Sequence, residues 1–289
     1  MDTADAFDPA ATAAATGEWD PNDLPDDGFS AVFFGARRTG KTFLIEEVVS
    51  KLVAAGRRWS AAFLFSETAI VNQRQYEWIS PVFKHDHVSE DTIGEIFKIQ
   101  QKERSDAKKK GEDDDNIPHV LVVADDVISD PTVRHSRVIN KLYTQGRHYK
   151  IDVIILSQSI GGGSGLPPVV RMNADAVVVF RPRSVRDREL ISEWFLGIIE
   201  SEGKGLRAGR EYMKHVTLEP FTAMVVDLAK QNVNELTDYV FRYKAEEKGV
   251  EPFRIGVEDH WDGFNLRDIY GKTDGTPKQP LLAYYKKKK

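Results

Sequence analysis

The stretch Gly35-Ala-Arg-Arg-Thr-Gly-Lys-Thr42 limits what this chain can fold into more than any other eight residues. It has the form G-x-x-x-x-G-K-[ST]. Ahead of it lies the short apolar run Ser30-Ala-Val-Phe-Phe34, and Thr42-Phe-Leu-Ile-Glu-Glu-Val-Val-Ser-Lys-Leu-Val53 follows with apolar residues three and four apart. That succession predicts strand, tight loop, helix. In this setting the spacing carries chemistry, because glycines let backbone N–H groups converge on phosphate oxygens and the helix presents its positive N-terminal end. Gly35, Ala36, Arg37, Arg38, Thr39 and Gly40 are therefore the expected cradle for the phosphates of ATP. Lys41 is expected to reach the β and γ phosphates, and Thr42 to offer a hydroxyl to Mg²⁺. Arg37 and Arg38 either add charge to the loop or face solvent. The competing interpretation is a glycine turn beside a surface lysine.

Further strand-like runs are Ala61 to Phe65, Val120 to Ala124, Val153 to Leu156, Ala176 to Phe180 and Ala223 to Val226, with helical patterns between them. Buried apolar strands alternating with helices predict an α/β fold, a mainly parallel sheet covered by helices on both faces. His119-Val-Leu-Val-Val-Ala-Asp-Asp126 sets two acids at the end of such a strand, the Walker B pattern. A parallel strand ends at the same sheet edge as the phosphate loop, so Asp125 is placed for the Mg²⁺ shell and Asp126 for the attacking water. Taken alone, the two acids are equally readable as a helix cap. Asp126 is also shorter than the Glu more usual at that position. Ile151-Asp-Val-Ile-Ile-Leu-Ser-Gln158 ends another strand in polar residues, from which Gln158 can bond the γ-phosphate or position water; the alternative is an ordinary polar strand end. The following Gly161 to Gly165 segment is glycine-rich and expected to be mobile.

Composition narrows the setting. With no cysteine among 289 residues, disulfide scaffolds, thiolate metal sites and cysteine nucleophiles are excluded. No apolar run approaches the roughly 18 residues of a membrane span, and the start lacks signal-peptide character, which predicts an intracellular chain. The net charge of -5 is uneven. Residues 1 to 28 hold seven Asp and Glu18 without a Lys or Arg, so the remainder carries -5 minus -8, or about +3. Residues 1–27 are expected as a mobile or loosely docked acidic arm that Trp19 and Leu24 can anchor. Residues 28–270 are expected as the ATPase domain, and 271–289 as a basic tail. Lys108 to Asn116 is expected to be an exposed loop. His85 and His87 are expected to be solvated loop residues rather than metal ligands. Asn140-Lys-Leu-Tyr143 lacks the Asp of a guanine-reading signature.

Phosphate loop, intervening strand, strand with Asp-Asp, the helical Tyr143-Thr-Gln-Gly-Arg-His148 and a strand ending Ser157-Gln158 together resemble the FtsK/HerA superfamily of DNA-pumping ATPases. Within it, Gly146-Arg-His148 before Ile151 to Gln158 is similar to the poxvirus-type genome-packaging ATPases of large nucleocytoplasmic DNA viruses. The resemblance covers roughly residues 28 to 230. It implies a homo-oligomer, usually a ring, that hydrolyses ATP to drive double-stranded DNA without sequence preference into a capsid, with a capsid or portal-vertex protein as partner. It implies Lys41, Thr42 and Asp125 for phosphate and Mg²⁺, Asp126 for water activation, Gln158 as sensor and Arg147 as arginine finger. The host cytoplasm, the viral factory or the virion would be its place. Arg181, Arg183 and Arg186, after the strand ending at Phe180, are candidates for contacts to DNA phosphates or a plain salt-bridged helix start. A helicase or partition ATPase, or a nucleotide-dependent switch, are the other readings of the same motifs.

Overall fold

The computed structural model describes residues 7–261 except 72–74, 114–116, 127–132, 134–135, 162–164, 198, 200–204 and 247–248. The basic tail therefore lies outside the described residues, as do the last part of the Lys108–Asn116 segment and the centre of the glycine-rich segment. The phosphate-loop strand β1 (Ser30–Phe34) is buried along its whole length. It leads through the loop into α2 (Lys41–Ala54), and β2 (Trp59–Phe65), β4 (His119–Asp125), β5 (Ile151–Ser157) and β6 (Ala176–Phe180) are equally apolar. Runs buried on both faces are what parallel strands beneath crossover helices require. These strands lie in one eight-stranded sheet of order β3-β2-β4-β5-β1-β6-β7-β8.

The parallel block runs from β3 (Lys84–His85) to β6; β7 (Thr222–Asp227) and β8 (Val240–Lys244) close one side antiparallel. Sequence periodicity does not reveal β3 or β8. The first is two residues long, and in β8 only Val240 and Tyr243 are buried, so it forms no apolar run.

One expectation is corrected here, and one alternative is decided. Lys108, Lys109 and Lys110 are not loop residues but the last turn of α4 (Glu90–Lys110), which Gly111 ends in the left-handed conformation. Three lysines at that end meet the negative pole of the helix, and Ser89 caps the other end by accepting from the Thr92 N–H. The acidic N-terminal segment is docked rather than mobile from Phe7 onward. Asp8 caps α1 (Pro9–Ala15), and Thr16 Oγ1 shares a 2.7 Å hydrogen bond with Tyr212 in the helix Gly205–Val216. The Trp19 N–H donates to Arg242 O, and the Arg242 N–H to Gly17 O, at 2.8 and 2.9 Å. Trp19 also meets Tyr243 edge-on at 5.7 Å, and Leu24 is buried. These few apolar anchors outweigh the segment's acidic composition, since each buries a large side chain that the polar majority leaves free to do so.

Asp152 ties the N-terminal edge of the sheet together. Fully buried in β5, its carboxylate accepts from the Phe29 N–H at 2.9 Å and from Trp59 Nε1 at 2.6 Å, bonds His119 Nδ1 at 3.1 Å and lies 3.9 Å from Arg57. Asp152→Ala removes the acceptor for the Phe29 N–H and for Trp59 Nε1, and the bond to His119, while Arg57 keeps its other partners. It is expected to lower the unfolding free energy by roughly 3 kcal/mol or more, read as an earlier urea midpoint at unchanged slope. An unmoved midpoint would show that the carboxylate is dispensable.

Candidate nucleotide site

Strand register assembles the site. Phe34 of β1 pairs with Ser157 of β5, and Leu156 of β5 pairs with Asp125 of β4, so three neighbouring strands end in one row. Gly35, Gln158 and Asp126 are the next residues out, and they meet at the C-terminal edge of the sheet. Between them lies a cavity of about 280 Å³ lined by Arg37, Glu67, Asp125, Asp126, Ser157 and Gln158.

The loop needs both its glycines. A Cβ at Gly35 would stand 2.8 Å from Phe180 Cβ and 2.8 Å from Thr39 Oγ1, and Gly40, the N-cap of α2, has φ +95°. Lys41 is buried. Its Nζ donates to Gly35 O at 2.5 Å and Ala36 O at 3.0 Å, and an ammonium has a third proton for a phosphate oxygen. Burial pulls its pKa below the usual lysine value, while Asp126 and Asp125 pull it back up. Arg38 is exposed with φ +63°. Arg37 turns to the site, donating from Nε to Gln158 Oε1 at 3.2 Å.

Gln158 in turn donates from Nε2 to Asp126 Oδ2, so Arg37, Gln158 and Asp126 form one chain of hydrogen bonds. Asp126 itself has φ +60°. Asp125 is buried at the end of β4, and burial together with the neighbouring Asp126 carboxylate pushes its pKa up to about 6. A residue that no sequence motif marks completes this part of the site. Tyr76, buried and with φ +57°, donates its hydroxyl to Asp125 Oδ2 at 2.9 Å and bonds the Thr42 side chain. Burial first, then Asp125, raises the Tyr76 phenol well above its ordinary pKa, which keeps it a donor.

Arg147 stands elsewhere. It belongs to the short helical turn Gly146–Tyr149 ahead of β5, at the opposite edge of the sheet, with its side chain 56% exposed and Nε 4.0 Å from Asp27 Oδ2. Asp152 is occupied by other donors, as described above. Arg181, Arg183 and Arg186 are exposed; Arg181 directly follows β6 at the phosphate-loop edge, and Arg186 pairs with Glu189 at 4.0 Å. His85 is not a solvated loop residue: it lies buried in β3 against Phe65, and burial lowers its pKa to about 4. His87 is exposed and bonds Asp86.

A glycine loop between a parallel strand and a helix, two acids ending a second strand and a polar side chain ending the strand between them define the fold of a P-loop nucleoside triphosphatase. The chain belongs to the poxvirus A32 protein family, which matches residues 17–162. This is the packaging-ATPase family that the order of motifs suggests. Among its relatives, the uncharacterized protein 075L of Invertebrate iridescent virus 6 is 24% identical over 236 residues, covering 81% of this chain and 83% of that one. Among solved structures, the conjugation coupling protein TcpA of pCW3 shares the fold at 14% identity and a TM-score of 0.50, over 76% of this chain and 60% of that one. The genome-packaging NTPase B204 of Sulfolobus turreted icosahedral virus 2 aligns at 16% identity and a TM-score of 0.49, over 77% of this chain and all of that one. Among the described residues, no helix is long and apolar enough to cross a membrane.

Proposed function

We propose that this protein is an ATP-hydrolysing translocase that packages double-stranded viral DNA into a capsid. The observation that carries the proposal is the single row formed by the phosphate loop, Asp125, Asp126 and Gln158 at one sheet edge. Residues 28–270 would form the ATPase domain, with 1–27 and 271–289 as its acidic and basic flanks.

In this reading the amides of Gly35 to Gly40 and the start of α2 hold the phosphates, and Lys41 donates its remaining N–H as a hydrogen bond to their terminal oxygens. Asp126 accepts a proton from the attacking water. Gln158, already bonded to both Arg37 and Asp126, aligns that water and links the state of the γ-phosphate to the loop after β5. The Thr42 hydroxyl and the Asp125 carboxylate, joined through Tyr76, are an all-oxygen donor pair of the kind Mg²⁺ takes alongside phosphate oxygens and water. When bound there, Mg²⁺ would neutralise charge on the transferring phosphoryl group.

Subunits would join in a ring in which Arg147 serves the neighbouring site. Arg181, Arg183 and Arg186 would contact DNA phosphates without reading bases, and a capsid or portal-vertex protein would hold the ring at its place of work, in the host cytoplasm, the viral factory or the virion.

Steady-state ATPase assays with and without duplex DNA test the proposal. The rate is expected to rise with duplexes of arbitrary sequence and the stimulation to fade as salt increases, because Lys and Arg contacts release counterions. Lys41→Ala is expected to lose ATP binding. No stimulation at about 50 mM salt, or stimulation by one sequence only, would rule out a translocase and favour a nucleotide switch; displacement of a strand would instead mark a helicase.

A further inference from the structure

The motifs assign every phosphate of the nucleotide and leave its base without a partner. We infer that Phe221 is the platform on which the nucleobase stacks, an inference that rests on the proposed ATP site.

Direction comes first. Asp125, Asp126 and Gln158 end β4 and β5, which lie on one side of β1 in the sheet. The γ end of a triphosphate held by the loop points toward them, so the nucleoside leaves on the other side of β1, where β6 and β7 stand. Phe221 directly precedes β7. Because β7 runs antiparallel to β6, its first residue stands at the phosphate-loop edge, and the ring reaches the loop itself. A Cβ built on Gly40 would lie 3.0 Å from Phe221 Cδ1.

The conformation of this residue is the second observation. Phe221 has φ +60°, a region that bulky side chains rarely adopt, and yet the residue is 59% exposed. Strain in a buried aromatic is explained by packing, but this residue is exposed beside the phosphate cradle. Phe43, the third residue of α2, adds a second aromatic at the same helix start and is 37% exposed. An exposed aromatic next to a phosphate site suits a planar base. Stacking uses the π face that every base has, so it gives affinity without reading hydrogen bonds. The ligand class is a nucleoside triphosphate, with little discrimination between adenine and guanine.

Calorimetric titration of the full chain with Mg-ATP and with Mg-tripolyphosphate, which has the phosphates and no base, tests the assignment. Phe221→Ala is expected to weaken ATP binding roughly 5- to 100-fold and to leave tripolyphosphate binding unchanged. Phe221→Gly, which accepts the positive φ without strain, is expected to match Phe221→Ala, and Phe221→Trp to bind ATP as the native chain does. Equal losses for both ligands would make Phe221 a support for the loop and overturn the inference. So would unchanged ATP affinity, including the case in which the variants alter self-association instead. If the native chain bound neither ligand, the phosphate site itself would be the failure; if it bound both and the Phe221 variants were indifferent, the phosphate site would stand and only the base platform would fall.

Discussion

Replacing Arg147 by alanine is expected to leave ATP binding intact and to slow hydrolysis roughly 10³- to 10⁵-fold, the range associated with an arginine finger. Geometry excludes a role in its own site. Arg147 precedes the seven residues of β5, whose far end borders the phosphate loop, and at about 3.3 Å per residue the strand alone spans about 20 Å. Its partner is the exposed Asp27 at 4.0 Å, a surface pair worth about 0–1 kcal/mol, so losing it barely changes stability. A large loss of turnover in a stably folded variant therefore points to a neighbouring subunit. Mixing provides the check, since Lys41→Ala subunits keep Arg147 and Arg147→Ala subunits keep Lys41. Some mixed interfaces hold both groups, and the mixture is expected to exceed either variant alone. No recovery, in a titration that also shows one inactive subunit does not silence its neighbours, would assign Arg147 a structural role.

Asp126→Asn is expected to bind Mg-ATP and to hydrolyse it roughly 10²- to 10⁴-fold more slowly, the usual effect of losing a general base. The substitution keeps an oxygen for Gln158 to bond, so the Arg37–Gln158 chain has no reason to collapse. Asp125→Asn should behave differently. It removes the charge from the carboxylate that Tyr76 holds in place, so its rate should recover as Mg²⁺ is raised, whereas that of Asp126→Asn should not. Rates measured across a Mg²⁺ series separate the two. Reversed behaviour would exchange the two roles.

The parts of the site written within a few residues were legible in the sequence. The loop from Gly35 to Thr42, the acids ending β4 and the glutamine ending β5 each follow an apolar strand, and parallel strands bring such ends to one edge. Tyr76 and Phe221 carry no such local mark. Each is a single aromatic in a left-handed conformation outside regular structure, and only the closed fold brings one to Asp125 and the other to Gly40. The acidic segment leaves two alternatives open for a related reason. Its composition is that of a solvated chain, while Trp19 and Leu24 find their partners in Tyr243 and beneath Arg57, which donates to the Leu24 and Pro25 carbonyls. The antiparallel turn of β7 and β8 is equally hidden, because strand periodicity carries no direction.

The clasp between Gly17–Trp19 and Arg242 also orders events in time. A ribosome delivers Gly17–Trp19 long before Arg242, and β1 has to wait for β5 and then β6 before it has two neighbours. During synthesis the nascent chain thus carries an apolar centre strand with both flanks open, and pairings so distant in sequence form slowly. Gly17–Trp19 therefore find their place only once Arg242 has been made. The negative charge of this segment repels like chains during that interval, and when Arg242 emerges Glu18 becomes part of the fastening through its 2.6 Å pair with that arginine.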